Sequence, residues 1–181
     1  MAAVIAAPAS GSGKTLLSLA LLSWAQQNGR RIQAFKVGPD YLDAQLLSQA
    51  SGLPCRNLDL NLCRETWVRQ AFHGYGGASE LTLVEGVMGL FDGIGSSSTG
   101  STADVTRLLD LPVVLVLDAG GQAASLGAIV RGFRDHDRQL RIAGVVLNKV
   151  SSPRHRELLA EVLEHMEVPL LGCLPRSEAL A

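Results

Sequence analysis

The sequence lacks the features that mark disulfide-bonded, nucleic-acid-binding and membrane proteins. It has only 3 cysteines, none in a C-x-x-C pair, so we expect reduced thiols that pack as small hydrophobic side chains. Its 16 basic and 17 acidic residues nearly cancel, which leaves no large field to attract nucleic acid or a membrane surface. The apolar run at residues 16–22 is too short to span a bilayer, and no charged leader precedes it. We therefore expect a cytoplasmic protein without nucleic-acid or membrane partners.

The pattern of apolar residues indicates the fold class. The 181 residues, 47% of them hydrophobic, are enough for one globular domain with a sizeable core. Strand-like runs at residues 2–7, 32–37, 81–84, 112–117 and 142–147 alternate with helical patterns, the first at residues 16–27. This alternation predicts an α/β fold in which helices cover both faces of a mostly parallel sheet. The last three runs are almost continuously apolar, so we expect them in the centre of the sheet.

Open α/β sheets bind ligands beyond the carboxyl ends of their strands, so the residues that follow each run are the candidates for chemistry. They lie in five segments, at residues 8–15, 38–43, 85–93, 118–121 and 148–149. The Gly- and Ser-rich segment at residues 93–100 predicts a mobile loop beside them. Composition leaves open whether it is a lid or an ordinary exposed loop.

A phosphate-binding loop follows the first run. Gly11 and Gly13 allow the backbone to curl so that successive N–H groups point at phosphate oxygens, and the next helix adds its dipole. Lys14 supplies a charge for the β- and γ-phosphates, and the Thr15 hydroxyl is placed to bind Mg²⁺. Pro8 stands where the usual Walker A pattern has its first glycine. The residues predicted to bind the nucleotide here are Ser10, Gly11, Ser12, Gly13, Lys14 and Thr15.

The nucleotide base has a candidate partner in Asn148. Guanine-specific P-loop proteins carry Asn-Lys-x-Asp at this point, but Ser151 replaces the aspartate here. Adenine is therefore the favoured base, because an amide can both donate to and accept from its edge. The alternative is that Asn148 is a turn residue at the end of the strand.

Three carboxylates are predicted at the same edge of the sheet. Mg²⁺ takes one or two carboxylates together with water and phosphate oxygens, so Thr15, Asp40 and Glu85 form a candidate metal site. Asp43 is a candidate for a second ion or for the attacking group, and its alternative role is the cap of the helix that follows. Glu85, beside a glycine within an apolar sheet, is favoured as functional.

Several segments resemble the cobyrinic acid a,c-diamide synthase family. They are APASGSGKT at residues 7–15, FKVGPDYLD at 35–43, VEGVMGLFDG at 84–93, GSTA at 100–103 and GCLPR at 172–176. These segments span nearly the whole chain in the family's order, and the second and third are far more specific than a phosphate loop. The resemblance implies a fold like that of dethiobiotin synthetase, with Pro175 among the nucleotide-binding residues.

The activity that the resemblance implies is ATP- and Mg²⁺-dependent amidation of a corrinoid through an acyl phosphate. Lys14, Asp40, Asp43 and Glu85 are then the catalytic candidates. Lys36 is expected to steer the substrate carboxylate, and Tyr41 and Leu42 to contact the macrocycle. Family members carry a cysteine-nucleophile glutaminase after this domain, whereas none of the 3 cysteines here has the Gly-x-Cys-x-Gly setting. Residues 1–181 are thus expected to be a synthetase domain, either a fragment or a half-enzyme, that receives ammonia from another domain or chain. A homodimer is one expected assembly.

Other classes share parts of this pattern. A ParA- or MinD-like ATPase switch would carry a lysine at the position of Ala9, and a regulatory GTPase is opposed by Ser151. Dethiobiotin synthetase has acidic residues where this loop has Ala9 and Gly11. Enzymes that amidate hydrogenobyrinic acid or nickel sirohydrochlorin use the same motifs, so the macrocycle stays open.

Overall fold

The computed structural model describes residues 1–177, which form a parallel β-sheet with helices on both faces. All six pairings between neighbouring strands are parallel, as the alternating pattern predicted. The strands are β1 (Ala2–Ala6), β2 (Ile32–Val37), β3 (Arg56–Leu58), β4 (Leu81–Glu85), β5 (Val113–Asp118), β6 (Ile142–Val150) and β7 (Leu170–Pro175). The helices are α1 (Lys14–Gln27), α2 (Tyr41–Ser51), α3 (Glu65–Gly76), α4 (Thr102–Leu109), α5 (Ser125–His136) and α6 (Pro153–Glu164).

The strand order places the phosphate loop, which follows β1, at the middle of the sheet. The order is β3-β2-β4-β1-β5-β6-β7, so β1 is central and β4 and β5 flank it. The three late runs are therefore all interior strands, although β6 lies one strand from the edge. Because every strand points the same way, the segments that follow β1, β2, β4, β5 and β6 meet at one edge of the sheet.

Alternating side chains of each strand pack into separate cores on the two faces. In β1, Val4 and Ala6 join the core under α3 and α4, whereas Ile5 joins the core under α1 and α2. Leu115 of β5 lies on the same face of the sheet as Val4 and Ala6, and it belongs to a third cluster formed with α5 and α6. Period-two alternation explains this division, since successive side chains of a strand point to opposite faces.

Helix starts differ in a way that matters for the site. The side chains of Asp40, Ser101 and Ser152 cap α2, α4 and α6 by accepting from a backbone N–H three residues along. In contrast, α1 begins at Lys14 after Gly13, without any side-chain cap and without an acidic residue in its first turn. The first N–H groups of α1 are therefore left for another acceptor.

Two edge strands and one strand end were not anticipated from the sequence. β3 has only three residues, two of them polar, whereas β7 is apolar but is interrupted by Gly172 and ends at Pro175, which are both unfavourable in strands. β6 was expected to end at Leu147, but it continues to Val150 because β7 pairs beside it, with Val150 opposite Pro175. Asn148 and Lys149 consequently lie within β6 and not after it.

The Gly- and Ser-rich segment at residues 93–100 is a loop, as its composition predicted. The loop is closed on itself, since Ile94 N donates to Thr99 O at 3.0 Å and Ser97 N donates to Ile94 O at 3.1 Å. A role as a lid stays a prediction. Within residues 1–177, no helix combines the length and the apolar character needed to cross a bilayer.

Truncation of a central core residue should measure how much the buried sheet contributes to stability. We expect Leu115→Ala, at a fully buried position, to lower the free energy of unfolding by about 2–5 kcal/mol, because it removes apolar contacts and leaves a cavity. Leu171→Ala is the matched control, since Leu171 also lies in a strand but is 52% exposed. Urea unfolding monitored by circular dichroism checks both variants, and equal losses would contradict this account of the core.

Candidate active site

The phosphate loop joins the central strand β1 to α1. Gly11 and Gly13 both have left-handed backbone conformations, with φ of +78° and +108°, which side-chain-bearing residues rarely adopt. The Ser12 hydroxyl donates to Ala9 O at 2.9 Å and closes the curl. Together with the uncapped start of α1, this geometry leaves backbone N–H groups at the helix N-terminus, which is a site for anions.

Asn148 supports the phosphate loop from behind. Its Nδ2 donates to Ser12 O at 3.0 Å, and its Oδ1 accepts from Lys149 N at 2.9 Å. A Cβ at Gly13 would overlap the Asn148 amide group, so this close approach requires glycine. Asn148 is thus a supporting residue of the loop, a role that the sequence did not suggest, and its contact with adenine stays a prediction.

Lys14 is held by backbone carbonyl groups. Its Nζ donates to Met88 O at 2.6 Å and to Ala9 O at 3.2 Å. Met88 adopts a left-handed conformation with φ of +48°, an unusual state for a residue with a side chain, and its carbonyl thereby reaches the loop. Burial, followed by repulsion from Lys36, lowers the pKa of the Lys14 ammonium below its usual value. An anion placed in the loop would raise the pKa of Lys14 and so offset both burial and the repulsion from Lys36.

Lys36 lies at the centre of the predicted carboxylates. Its Nζ is 2.7 Å from Asp43 Oδ2, 2.8 Å from Glu85 Oε1, 3.1 Å from Gly86 O and 3.7 Å from Asp40 Oδ2. The parallel pairing of β2 with β4 produces this arrangement, since Lys36 stands opposite Glu85 in the register. The sequence had suggested that Lys36 steers substrate. Instead it is 2% exposed and already has three hydrogen-bond acceptors, so contact with substrate stays a prediction.

Charge attraction within the cluster outweighs the cost of burial. Burial alone would lower the pKa of Lys36, but attraction to Glu85 and hydrogen bonds with Asp43 and Glu85 raise it above its usual value. Burial would raise the pKa of Asp43, yet its hydrogen bond with Lys36 and the charge of that lysine lower it. Lys36 is therefore an ammonium and Asp43 a carboxylate at neutral pH.

The two aspartates have different local roles. Asp40 Oδ1 accepts from Asp43 N at 3.1 Å, so Asp40 is the cap of α2. The alternative reading of Asp43 as that cap was wrong, because Asp43 lies inside the first turn and its side chain is directed at Lys36. Asp43 Oδ2 is also 3.5 Å from Thr15 Oγ1, which places it closer than Asp40 to the phosphate loop residues.

The residues fit a divalent cation that would be coordinated by protein side chains and phosphate oxygens together. Thr15 Oγ1 donates to Glu85 Oε1 at 2.9 Å, and Glu85 Oε2 is buried without a hydrogen-bond partner in the structure. An unpartnered buried carboxylate oxygen beside a threonine hydroxyl is a donor set suited to Mg²⁺. Among residues 1–177, no group of three His, Cys, Asp or Glu side chains is placed to hold a metal ion, so a cation here would need phosphate oxygens and water as well. The distances favour Thr15, Asp43 and Glu85 over the predicted set that contained Asp40.

A pocket of about 370 Å³ adjoins the phosphate loop and brings together some of the remaining predicted residues. Ser10, Gly11 and Thr15 line it from the phosphate loop, and Lys36, Asp40, Val87 and Met88 line it from the neighbouring segments. Tyr41 and Leu42 are 74% and 76% exposed at the start of α2, where a large substrate can reach them. Pro175 lies beside Val150 at the end of β7 and lines a separate groove with Ser151 and Arg176.

This fold and this loop define a P-loop nucleotide-binding domain. The sequence model of the CobQ/CobB/MinD/ParA nucleotide binding domain family matches residues 3–181, and the chain belongs to that family. The predicted fold class is thereby confirmed.

Similar proteins agree with the predicted resemblance. The chain is 46% identical to the cobyrinate a,c-diamide synthase of Gloeobacter violaceus, over 100% of this chain and 40% of that protein. It is 44% identical to the hydrogenobyrinate a,c-diamide synthase of Mycobacterium bovis, over 99% of this chain and 40% of that protein. The chain therefore spans less than half the length of these curated relatives.

Solved structures support the fold alone. A nucleotide-binding protein from Archaeoglobus fulgidus, solved in complex with ADP, superposes with a TM-score of 0.62 at 12% identity, over 99% of this chain and 83% of that one. Chloroplast FtsY from Physcomitrella patens superposes with a TM-score of 0.61 at 18% identity, over 94% of this chain and 57% of that one.

Cys55 should behave as an inert thiol. Burial, together with the charge of Glu85, raises the pKa of Cys55 to about 12, so almost no thiolate exists at pH 8. In a variant that keeps only Cys55, we expect iodoacetamide to react roughly a thousandfold more slowly in the folded protein than with a free cysteine. Mass spectrometry over time measures the rate, and the same variant unfolded in urea is the control. Equal folded and unfolded rates would contradict the pKa assignment.

Proposed function

We propose that the chain is the synthetase part of a cobyrinate a,c-diamide synthase, which converts two acetate carboxylates of a corrinoid to amides at the expense of ATP. The observation that carries the proposal is the contact between a phosphate loop and a buried lysine and carboxylate cluster. A phosphate loop alone is common to many nucleotide-binding proteins. A phosphate loop beside Lys36, Asp43 and Glu85 offers charges for activating a substrate carboxylate, and the 46% identity to a named synthase supports that chemistry.

In the first step, the phosphate loop would bind the triphosphate through its backbone N–H groups and Lys14. Lys14 would exchange its bonds to Met88 O and Ala9 O for phosphate oxygens. A substrate carboxylate oxygen then forms a bond to the γ-phosphorus while the bond from that phosphorus to the bridging oxygen breaks, which releases ADP. Lys14 stabilises the negative charge that builds on the transferring phosphoryl group.

In the second step, ammonia would attack the acyl carbon of the acyl phosphate. The carbon–nitrogen bond forms, the bond from that carbon to the phosphate oxygen breaks, and inorganic phosphate leaves. The nitrogen loses a proton, for which the departing phosphate is the acceptor. Phosphorylation is needed because a carboxylate oxygen is a poor leaving group and phosphate is a good one.

The cation that fits this site would be held by Thr15, Glu85 and Asp43 together with phosphate oxygens. When bound, Mg²⁺ neutralises charge on the phosphates and so favours their reaction with an anion. Lys36 holds Glu85 and Asp43 beside Thr15, and its hydrogen bond and charge lower the pKa of Asp43. It also keeps the three carboxylates at this edge from repelling an incoming substrate carboxylate.

The source of ammonia is proposed to lie outside these residues. The burial that raises the pKa of Cys55 argues against that residue as a glutaminase nucleophile. The similar synthases are more than twice as long as the matched region, which is consistent with a further domain that supplies ammonia from glutamine. Hydrogenobyrinate is an alternative substrate, since the M. bovis relative is named for it. A homodimer and a cytoplasmic location also stay predictions.

Removal of the loop lysine should separate nucleotide binding from folding. We expect Lys14→Ala to weaken ATP binding by roughly a hundredfold, because it removes a charge-assisted hydrogen bond to phosphate. Arg131→Ala, which removes a positive charge from an exposed position on α5, is the matched control. Isothermal titration with a non-hydrolysable ATP analogue checks both variants. Unchanged affinity in Lys14→Ala would reject this loop as the nucleotide site.

Neutralising the buried carboxylate should stop the reaction while nucleotide binding persists. With cobyrinic acid, ATP, Mg²⁺ and ammonium chloride, we expect the chain to form mono- and diamide products, and we expect Glu85→Gln to slow them by roughly a hundredfold or more. Glu80→Gln, at an exposed glutamate just before β4, is the matched control. Mass spectrometry of the corrinoid measures product. Failure of the wild-type chain to form any amide contradicts the proposed function, and a normal rate in Glu85→Gln removes Glu85 from the site.

A further inference from the structure

A second groove lies next to the phosphate pocket, along the open edge of β3. It has a volume of about 360 Å³ and is bounded by β3, the start of α2 and one side of α3. Its lining includes Tyr41, Arg56, Asn57, Asp59, Trp67 and Tyr75. None of the reaction steps described above uses this groove.

Arg56 provides the groove with an unpaired cation. Its Cζ is 3.6 Å from the centre of the Tyr75 ring, so the guanidinium plane is fixed against an aromatic face. Its Nε is buried without a hydrogen-bond partner. Within residues 1–177, Arg56 forms no ion pair with an acidic side chain. A partly buried, oriented guanidinium without an anionic partner is suited to bind a carboxylate.

Asp59 adds an unused acceptor to the same groove. It is 4% exposed, and its Oδ1 holds a turn by accepting from Asn61 N at 2.8 Å and Leu62 N at 3.1 Å. Its Oδ2 is buried with no partner in the structure. Buried polar atoms are nearly always hydrogen-bonded, so two unpartnered ones beside the same groove indicate that a polar ligand binds there.

The remaining walls suit a flat apolar body. Tyr41, Trp67 and Tyr75 present exposed aromatic side chains at 74%, 43% and 45% of their surface, and Leu62 is 74% exposed beside them. Clustered exposed hydrophobic residues of this kind mark a ligand or partner surface. The Arg56 cation in their midst favours an anionic ligand over a purely apolar partner.

One segment separates this groove from the phosphate pocket. Asp40 lines the phosphate pocket, and its neighbours Pro39 and Tyr41 line the groove. Asn57 Nδ2 fixes the segment by donating to Gly38 O at 2.6 Å and to Asp40 O at 3.1 Å. A large ring with carboxylates around its rim can therefore place one carboxylate at the phosphate pocket and another in the groove.

We propose that Arg56 binds a peripheral carboxylate of the corrinoid, one that is not being amidated, while the aromatic side chains contact the ring. The inference rests on the proposed function and extends it, since the groove would set which carboxylate faces the phosphate loop. Arg56 is thus a specificity-determining residue that does not touch the reacting atoms.

The test is a titration of the 181-residue chain with cobyrinic acid, followed by ligand absorbance. We expect Arg56→Gln to weaken binding by about tenfold or more, because it removes a charge-assisted hydrogen bond to carboxylate. Arg69→Gln, at an exposed position on α3 outside the groove, is the matched control and should bind as the wild type does. Fully esterified cobyrinic acid has no carboxylates, so the difference between wild type and Arg56→Gln should disappear with it.

Each outcome separates this inference from the proposed function. If the wild-type chain binds an ATP analogue but no cobyrinic acid, the proposed function fails and the inference fails with it. Equal cobyrinic acid affinity in the wild type and Arg56→Gln overturns the inference alone. If Arg56→Gln changes the sedimentation coefficient but not the affinity for cobyrinic acid, the inference is also overturned, and the groove is an interface between copies of the chain. Arg56→Lys, which keeps the charge but loses the planar fork, should bind with intermediate affinity and serves if Arg56→Gln unfolds early in a thermal scan.

Discussion

The structure of the site depends on the buried pair of Lys36 and Glu85. Lys36 is 2% exposed and Glu85 is 0% exposed, and neither charge is tolerable in the interior without the other. The pair stands opposite in the register of β2 and β4, so it fixes the two strands that carry the segments after residues 37 and 85. Lys36 also positions Asp43 by a hydrogen bond, and Glu85 positions Thr15 in the same way. One ion pair therefore helps to place the carboxylates beside the phosphate loop.

Groups of the protein itself contact the side chains that are proposed to bind the ligands. The Met88 carbonyl accepts a hydrogen bond from Lys14, the residue proposed to bind phosphate. Lys36 donates to Glu85, which is proposed to bind the divalent cation. Met88 reaches Lys14 only by adopting a left-handed backbone conformation, which is unfavourable for a residue with a side chain.

The sequence was sufficient for the fold class and for the edge of the sheet that carries the site. Strongly apolar runs identified β1, β2, β4, β5 and β6, because buried parallel strands leave a continuous pattern. β3 was missed because a three-residue edge strand with Arg56 and Asn57 has no such pattern. Residue types did not reveal that Asp40 caps α2 while Asp43 faces Lys36, since both lie within hydrogen-bond range of one turn. The contact of Asn148 with Gly13 joins residues far apart in sequence, and only the packed structure brings them together.

The central claim is that this site activates a substrate carboxylate by phosphorylating it. Its most direct test uses cobyrinic acid with oxygen-18 in its carboxylates, incubated with the chain, ATP, Mg²⁺ and ammonium chloride. The inorganic phosphate is then isolated and its isotope content measured by mass spectrometry. The account predicts one labelled oxygen in the phosphate for each amide formed, because the acyl carbon–oxygen bond breaks when phosphate leaves. Amide formation with unlabelled phosphate would contradict an acyl phosphate and the role given to this site.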